Sequence, residues 1–303
     1  MSTTTLAQAQ SALEAGQWSL AASLFETVYQ TNQTLALNLQ LVTALKADQK
    51  YTLASSYAAE FETDYLATAD RFKLYLTVLL ASHQFIKARL ITEACRQTSA
   101  NWLAEADQQI RTAEQAAEQT MQQTLTTTMR QFYHLSDQPV AAQAERLAAA
   151  QHLTVAKYLT AAKFLLVDPF LHQLSRVEVL YTLRGLGTTD AVQFLWFDQT
   201  EQTVVPAELP VIGSDRVSQQ LQAEIQRQAG QVDATLAAGL QAELPLQLMY
   251  LYPTPAKIVT DAKIWINLLI ATQRGSIPRH LTVAGQKMAE NQAKIREFNE
   301  NLV

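Results

Sequence analysis

Asp168 and His172 stand four residues apart, a spacing that on a helix would bring a carboxylate and an imidazole to one face, as an acid–base pair or a metal site needs. Arg176 follows one turn later, so a small-molecule or enzymatic pocket in the 140–303 half is one reading of this stretch. Set against it, Asp168 precedes Pro169, and Asp followed by Pro is an ordinary helix start, with the carboxylate as cap and the proline in the first turn. The other histidines, His83, His134, His152 and His280, show neither H-x3-H nor HExxH spacing. Cys95 is the single cysteine, which rules out a thiolate zinc cluster and an internal disulfide. Gly185-Leu186-Gly187 has no strand before it and no Gly-x-x-Gly or Lys-Ser/Thr after it, so it reads as a helix end and not as a phosphate loop. No G-x-S-x-G elbow is present. The expectation is a protein without catalytic residues, metal or cofactor.

The bulk of the chain sets wide limits around those residues. With 303 residues and 48% hydrophobic content it can bury a sizeable core in about two domains. Its 23 basic and 28 acidic side chains include no Lys/Arg cluster, which excludes nucleic acid as the expected partner. The N-terminus, MSTTTLAQAQ, lacks a basic flank before an apolar core, and the most apolar run, Ile264 to Ala271, contains Asn267. That run falls far short of the about 20 residues that span a bilayer. The expectation is no membrane association and, from the single cysteine, a reducing, cytoplasmic setting.

The elements that would position any site show an internal period. GQWSLA at 16–21 is echoed by QKYTLA at 49–54 and HQFIKA at 83–88, placing the aromatics Trp18, Tyr51 and Phe85 and the alanines Ala21, Ala54 and Ala88 at steps of 33 and 34. A helical hairpin accounts for this: a first helix ends near Gly16, Gln49 or His83, the aromatic wedges against the turn, and the alanine lets the second helix come close. Phe25 closes the pattern in the first hairpin. Such hairpins must stack to bury their faces. The pattern resembles the tetratricopeptide repeat, with its period of about 34 residues, although the turn glycine is Gln49 and His83 in the second and third copies. Cys95, ten residues after Phe85, falls where a small core residue belongs.

That resemblance implies a concave groove lined by the first helices, at Leu6, Gln10, Leu13, Leu39, Thr43, Lys46, Lys73, Thr77 and Leu80. The Lys/Asn/Arg clamp of the chaperone-tail class is absent, since Leu6, Gln10, Gln40 and Leu74 stand at the matching positions. The groove is largely apolar and suits an amphipathic helix or peptide, or the chain's own long helix, which the stripe Leu103, Ala106, Ile110, Ala113, Ala117, Met121, Leu125 and Met129 predicts over 101–135. Homo-oligomerisation through that helix or a sheet edge is the third option.

Beyond LSDQP at 135–139 the pattern predicts a helix over 140–167, a second from Asp168 to the glycines, and a β-hairpin at about 191–206 made of AVQFLWF, a polar connection and TVVP. Helices at about 215–230, 232–252, 255–273 and 278–301 follow. The whole is expected to be mainly all-α: a superhelix of hairpins with a packing helix over 1–134, and a helical region over 135–303 carrying one small β-hairpin. DPFLHQLSRVEVLYTLRGL, VVPAELP and LMYLYPTPA are also similar to segments of bacterial, low-GC Gram-positive tetratricopeptide-repeat proteins of unknown function, which implies a helical-repeat interaction protein and no particular activity.

Overall fold

A helix that ends on a residue in the left-handed conformation can satisfy two of its orphan carbonyls at once. In the computed structural model, which describes residues 2–96, 102–228, 233–276 and 280–300, that turn recurs at the period of the repeat. Helix α1 (Ser2–Glu14) ends on Gly16 at φ 72°, α3 (Leu35–Ala47) on Gln49 at φ 59°, and α6 (Ala69–Ala81) on His83 at φ 57°. Each turn makes the same pair of backbone bonds. Gln17 N–H donates to Ala12 O at 2.9 Å and Gly16 N–H to Leu13 O at 3.2 Å. The counterparts are Lys50 to Leu45 (2.9 Å) with Gln49 to Lys46 (3.1 Å), and Gln84 to Leu79 (2.8 Å) with His83 to Leu80 (3.1 Å). Gln49 and His83 therefore adopt a conformation that only glycine takes without steric cost.

The second helices start on the aromatics: α2 (Trp18–Tyr29), α4 (Tyr51–Ala59) and α7 (Phe85–Arg96). Ala21, Ala54 and Ala88 are each 0% exposed, as the helix-crossing role requires. Phe25 and Phe85 are likewise buried and Tyr51 is half-buried. Trp18 departs from the wedge expectation, being 41% exposed. Its indole lies over the turn, Cζ2 3.6 Å from the point a Gly16 side chain would occupy. A short helix, α5 (Glu62–Leu66), intervenes before α6. Successive helices pack on one another from α1 to α7, and one apolar core runs from Ala9 through Phe25, Leu41 and Leu76 to Ile110.

The long helix expected over 101–135 is two helices, α8 (Leu103–Thr120) and α9 (Gln122–Tyr133), and Asn101 lies outside the described residues. Met121 leaves helical geometry at φ −123°, ψ 23°. Thr124, Thr126, Thr127 and Thr128 follow the break, and their β-branched side chains are poor helix formers.

The chain divides into two compact units, residues 1–130 with 149–159, and 131–148 with 160–303. In the first unit, α8 packs on α7 and α6. Arg89 of α7 bridges Asp107 (3.2 Å) and Glu114 (3.0 Å) of α8. Residues 151–155 dock on the same helices: Ile86 N–H donates to Gln151 O (3.1 Å), Val155 N–H to Glu114 (2.9 Å) and Thr154 Oγ1 to Glu118 (2.7 Å).

Two expectations for residues 140–185 are corrected. The helix over 140–167 is interrupted, as α10 (Val140–Ala150) and α11 (Val155–Leu165) separated by a turn. Asp168-Pro169-Phe170 is a turn as well, with Asp168 Oδ1 accepting from Phe170 N–H at 2.9 Å, and α12 (Gln173–Gly185) starts later with His172 as its cap. Asp168 thus closes an Asx turn, the alternative role of a short polar side chain. Gly187, at φ 66°, ends α12 as expected. Strands β1 (Val192–Leu195) and β2 (Glu201–Val204) pair antiparallel, Val192 opposite Val204. Two strands alone are marginal in water, and this pair is tied down by Leu195 N–H to Leu166 O (2.8 Å) and Trp196 Nε1 to Tyr252 O (2.9 Å). Helices α13 (Arg216–Gln228), α14 (Ala234–Leu251), α15 (Ala262–Gln273) and α16 (Val283–Glu300) complete it. Asp233 and Asp261 cap α14 and α15, each accepting a backbone N–H at 3.0 Å. Positions 229–230, 232, 278–279 and 301 of the expected helices lie outside the described residues.

Candidate functional site

The nine residues expected to line a groove sit on α1, α3 and α6. Gln10, Thr43, Lys73 and Thr77 are exposed. Leu6, Leu13, Leu39 and Leu80 are half-buried and pack on the core, and Lys46 is half-buried. The row is amphipathic in the same way on each helix: leucines rooted in the core beside polar groups in water. Thr43 Oγ1 donates to Leu39 O and Thr77 Oγ1 to Lys73 O, each at 2.7 Å, so neither hydroxyl is a free donor. Lys73 meets Glu105 of α8 at 3.1 Å with both side chains about half exposed, a pair worth little in water.

Behind the row lies a polar junction that periodicity did not single out. Asn38 is 0% exposed. Its Nδ2 donates to the Tyr29 hydroxyl (3.0 Å) and to Tyr57 O (2.9 Å), and its Oδ1 accepts from the Tyr65 hydroxyl (2.9 Å). Tyr29 in turn donates to Glu60, and Tyr57 donates to Glu26 at 2.6 Å. Burial, then the Glu26 carboxylate, pushes the Tyr57 phenol up to about 12, and burial raises Tyr65. The group joins α2, α3, α4 and α5 through satisfied buried bonds, the condition under which a buried amide is tolerated. The available signal was one asparagine inside the apolar run LALNLQLV.

No family model, curated protein or solved structure matches this chain. Among the described residues no group of three or more His, Cys, Asp or Glu could hold a metal ion, and no helix is long and apolar enough to cross a membrane.

In the second unit the groups with chemical potential are bound to the backbone. Asp168 and His172 do not share a helix face, because the helix starts after both. His172 Nδ1 accepts from Leu174 N–H at 3.3 Å and Nε2 faces Phe298 O at 3.4 Å, an arrangement that requires the neutral ring with the proton on Nε2. Burial lowers the His172 pKa, and the nearby Arg176 charge adds to that. Arg176 is 1% exposed and braces the turn, donating to the carbonyls of Asp168 (2.5 Å), Leu171 (2.8 Å) and Leu195 (3.1 Å) and to Gln173 Oε1 (2.7 Å). Burial lowers this guanidinium to about 10, against the opposing pull of Asp168. In the first unit Cys95 is buried and burial pushes its thiol up, the reverse of an activated nucleophile.

Proposed function

We propose that the repeat unit is a cytoplasmic interaction platform of tetratricopeptide type, which receives an amphipathic helix or peptide along the row carried by α1, α3 and α6. The observation that supports this reading is the row itself. Core-rooted leucines and exposed polar side chains recur on successive first helices at the step of the three turns, the alternation that helix-in-groove recognition uses. The chain's own α8 packs on α6 and α7 of the third hairpin, with Lys73 meeting Glu105, so the partner is assigned to the first two hairpins, at Leu6, Gln10, Leu13, Leu39 and Thr43.

A photo-reactive phenylalanine placed in turn at Gln10, Thr43 and Thr77 on the first helices, and at Ser19, Thr52 and Ser56 on the second, tests this in cells expressing the protein. One partner species cross-linked from Gln10 and Thr43 and not from the second helices is the expected result. Equal labelling from both sets, or none from the first, refutes it.

A further inference from the structure

Phe170 is 84% exposed, and no Phe, Trp or Tyr among the described residues is more so. Its backbone is nonetheless held from both sides. Phe170 N–H donates to Asp168 Oδ1, and the carbonyls of Asp168 and Leu171, which flank it, both accept from the buried Arg176 guanidinium. Leu171 is 3% exposed, so the chain is rooted in the core one residue after the ring projects into water. A lone exposed apolar side chain on a loose loop asks for no explanation. A ring held out on a braced turn beside Pro169 has already lost the backbone freedom that binding would remove, as an aromatic anchor residue requires.

The same unit carries a socket of matching chemistry. The cleft between α13 and α14, about 610 Å³, has no ionisable side chain in its lining. Ile225, Leu244 and Leu248 are its buried apolar residues, and Ile212, Ala223 and Pro245, half-buried or exposed, add to the apolar lining. Val211, next in the chain to Ile212, is 45% exposed.

We infer that Phe170 of one copy is the plug for the α13–α14 cleft of another, so that the second unit joins copies of this chain head to tail. The ring does not fill the cleft of its own chain, since it stands in water. Entering the cleft of a neighbour takes an apolar ring out of water without stripping hydration from any charge. A charged ligand in the same place would give up hydration and meet no opposite charge. Plug and socket are different surfaces, so each contact leaves an unused plug on one copy and an unused socket on the other, and assembly continues to a ring or a filament.

Analytical ultracentrifugation of the full-length protein tests this, and the weight-average mass should rise with concentration up to about 1 mM. Phe170→Asp and Ala223→Arg, both at exposed positions, should each abolish the rise while leaving the helical circular dichroism unchanged. Mixed in equal amounts, the two variants should form a species of two chains and nothing larger, because the first keeps its socket and the second its plug. A parent protein that stays monomeric, whatever else the ring or the cleft then binds, would overturn the inference. So would either variant still assembling alone, or a mixture that stays monomeric or grows beyond two chains.

Discussion

The repeat turns predict that two substitutions to glycine stabilise the protein. Gln49 and His83 sit at φ 59° and 57°, where a side chain costs about 1–2 kcal/mol relative to glycine. Glycine returns about 0.5–1 kcal/mol of that through the extra freedom of the unfolded chain. Gln49→Gly should therefore gain about 0.5–1 kcal/mol. His83→Gly should gain less, because its ring packs on Phe85 with centroids 5.9 Å apart and that contact is lost. The reciprocal change, Gly16→Ala, should cost about 0.5–1 kcal/mol by the same balance of strain and unfolded-chain freedom, since the new Cβ would meet only Trp18 at an ordinary 3.6 Å. Urea unfolding of the full chain, followed by helical circular dichroism, reads these as shifts of the midpoint at unchanged slope. A Gln49→Gly protein no more stable than the parent, or a Gly16→Ala protein equally stable, would refute the assignment of these positions as one recurring turn.

Three further outcomes follow from buried polar groups. Asn38→Ala removes the acceptor of the buried Tyr65 hydroxyl and should cost about 1–3 kcal/mol, read as a lower urea midpoint; a loss under about 0.5 kcal/mol would show the junction to be dispensable. Arg176→Lys cannot reach the carbonyls of Asp168, Leu171 and Leu195 together and should cost about 2–4 kcal/mol, with faster amide exchange across Leu171–Leu174; unchanged exchange would contradict the bracing role. His172 has a lowered pKa in the fold, so its contribution is fully present above the ordinary histidine value of about 6.5 and is lost as pH falls below it. Thermal melts at successive pH values should show that loss, and His172→Asn, which keeps a capping side chain, should flatten it; an identical profile in the variant would assign the pH dependence elsewhere.

The hairpins were legible because a repeat states its constraints three times: the aromatic-to-alanine spacing marks both the turn and the crossing point. The left-handed turns at Gln49 and His83 were legible only through that register, since neither residue type advertises the conformation. The small β-hairpin announced itself by a run of Val, Phe and Trp, a polar connection and Pro206. What failed were the local cues in isolation. Asp168-Pro169 matches a helix start, yet the buried Arg176 fork holds those residues as a turn and passes the cap to His172. The stripe from Leu103 to Met129 has helical spacing throughout, but spacing alone carries no trace of the break at Met121 between α8 and α9. Asn38 was hidden because its three partners come from α2, α4 and α5, and no single window of sequence contains them.

The docking of residues 151–155 on α7 and α8 also sets an order of events during synthesis. The third hairpin is made by Arg96, but the carbonyl that accepts from Ile86 N–H and the helix start that donates to Glu114 and Glu118 leave the ribosome only with residues 149–159. At 5–20 residues per second the roughly 60 intervening residues take about 3–12 s to make. Through that interval the first unit waits incomplete, and by its end residues 131–148, which belong to the second, have left the tunnel ahead of the segment that completes the first.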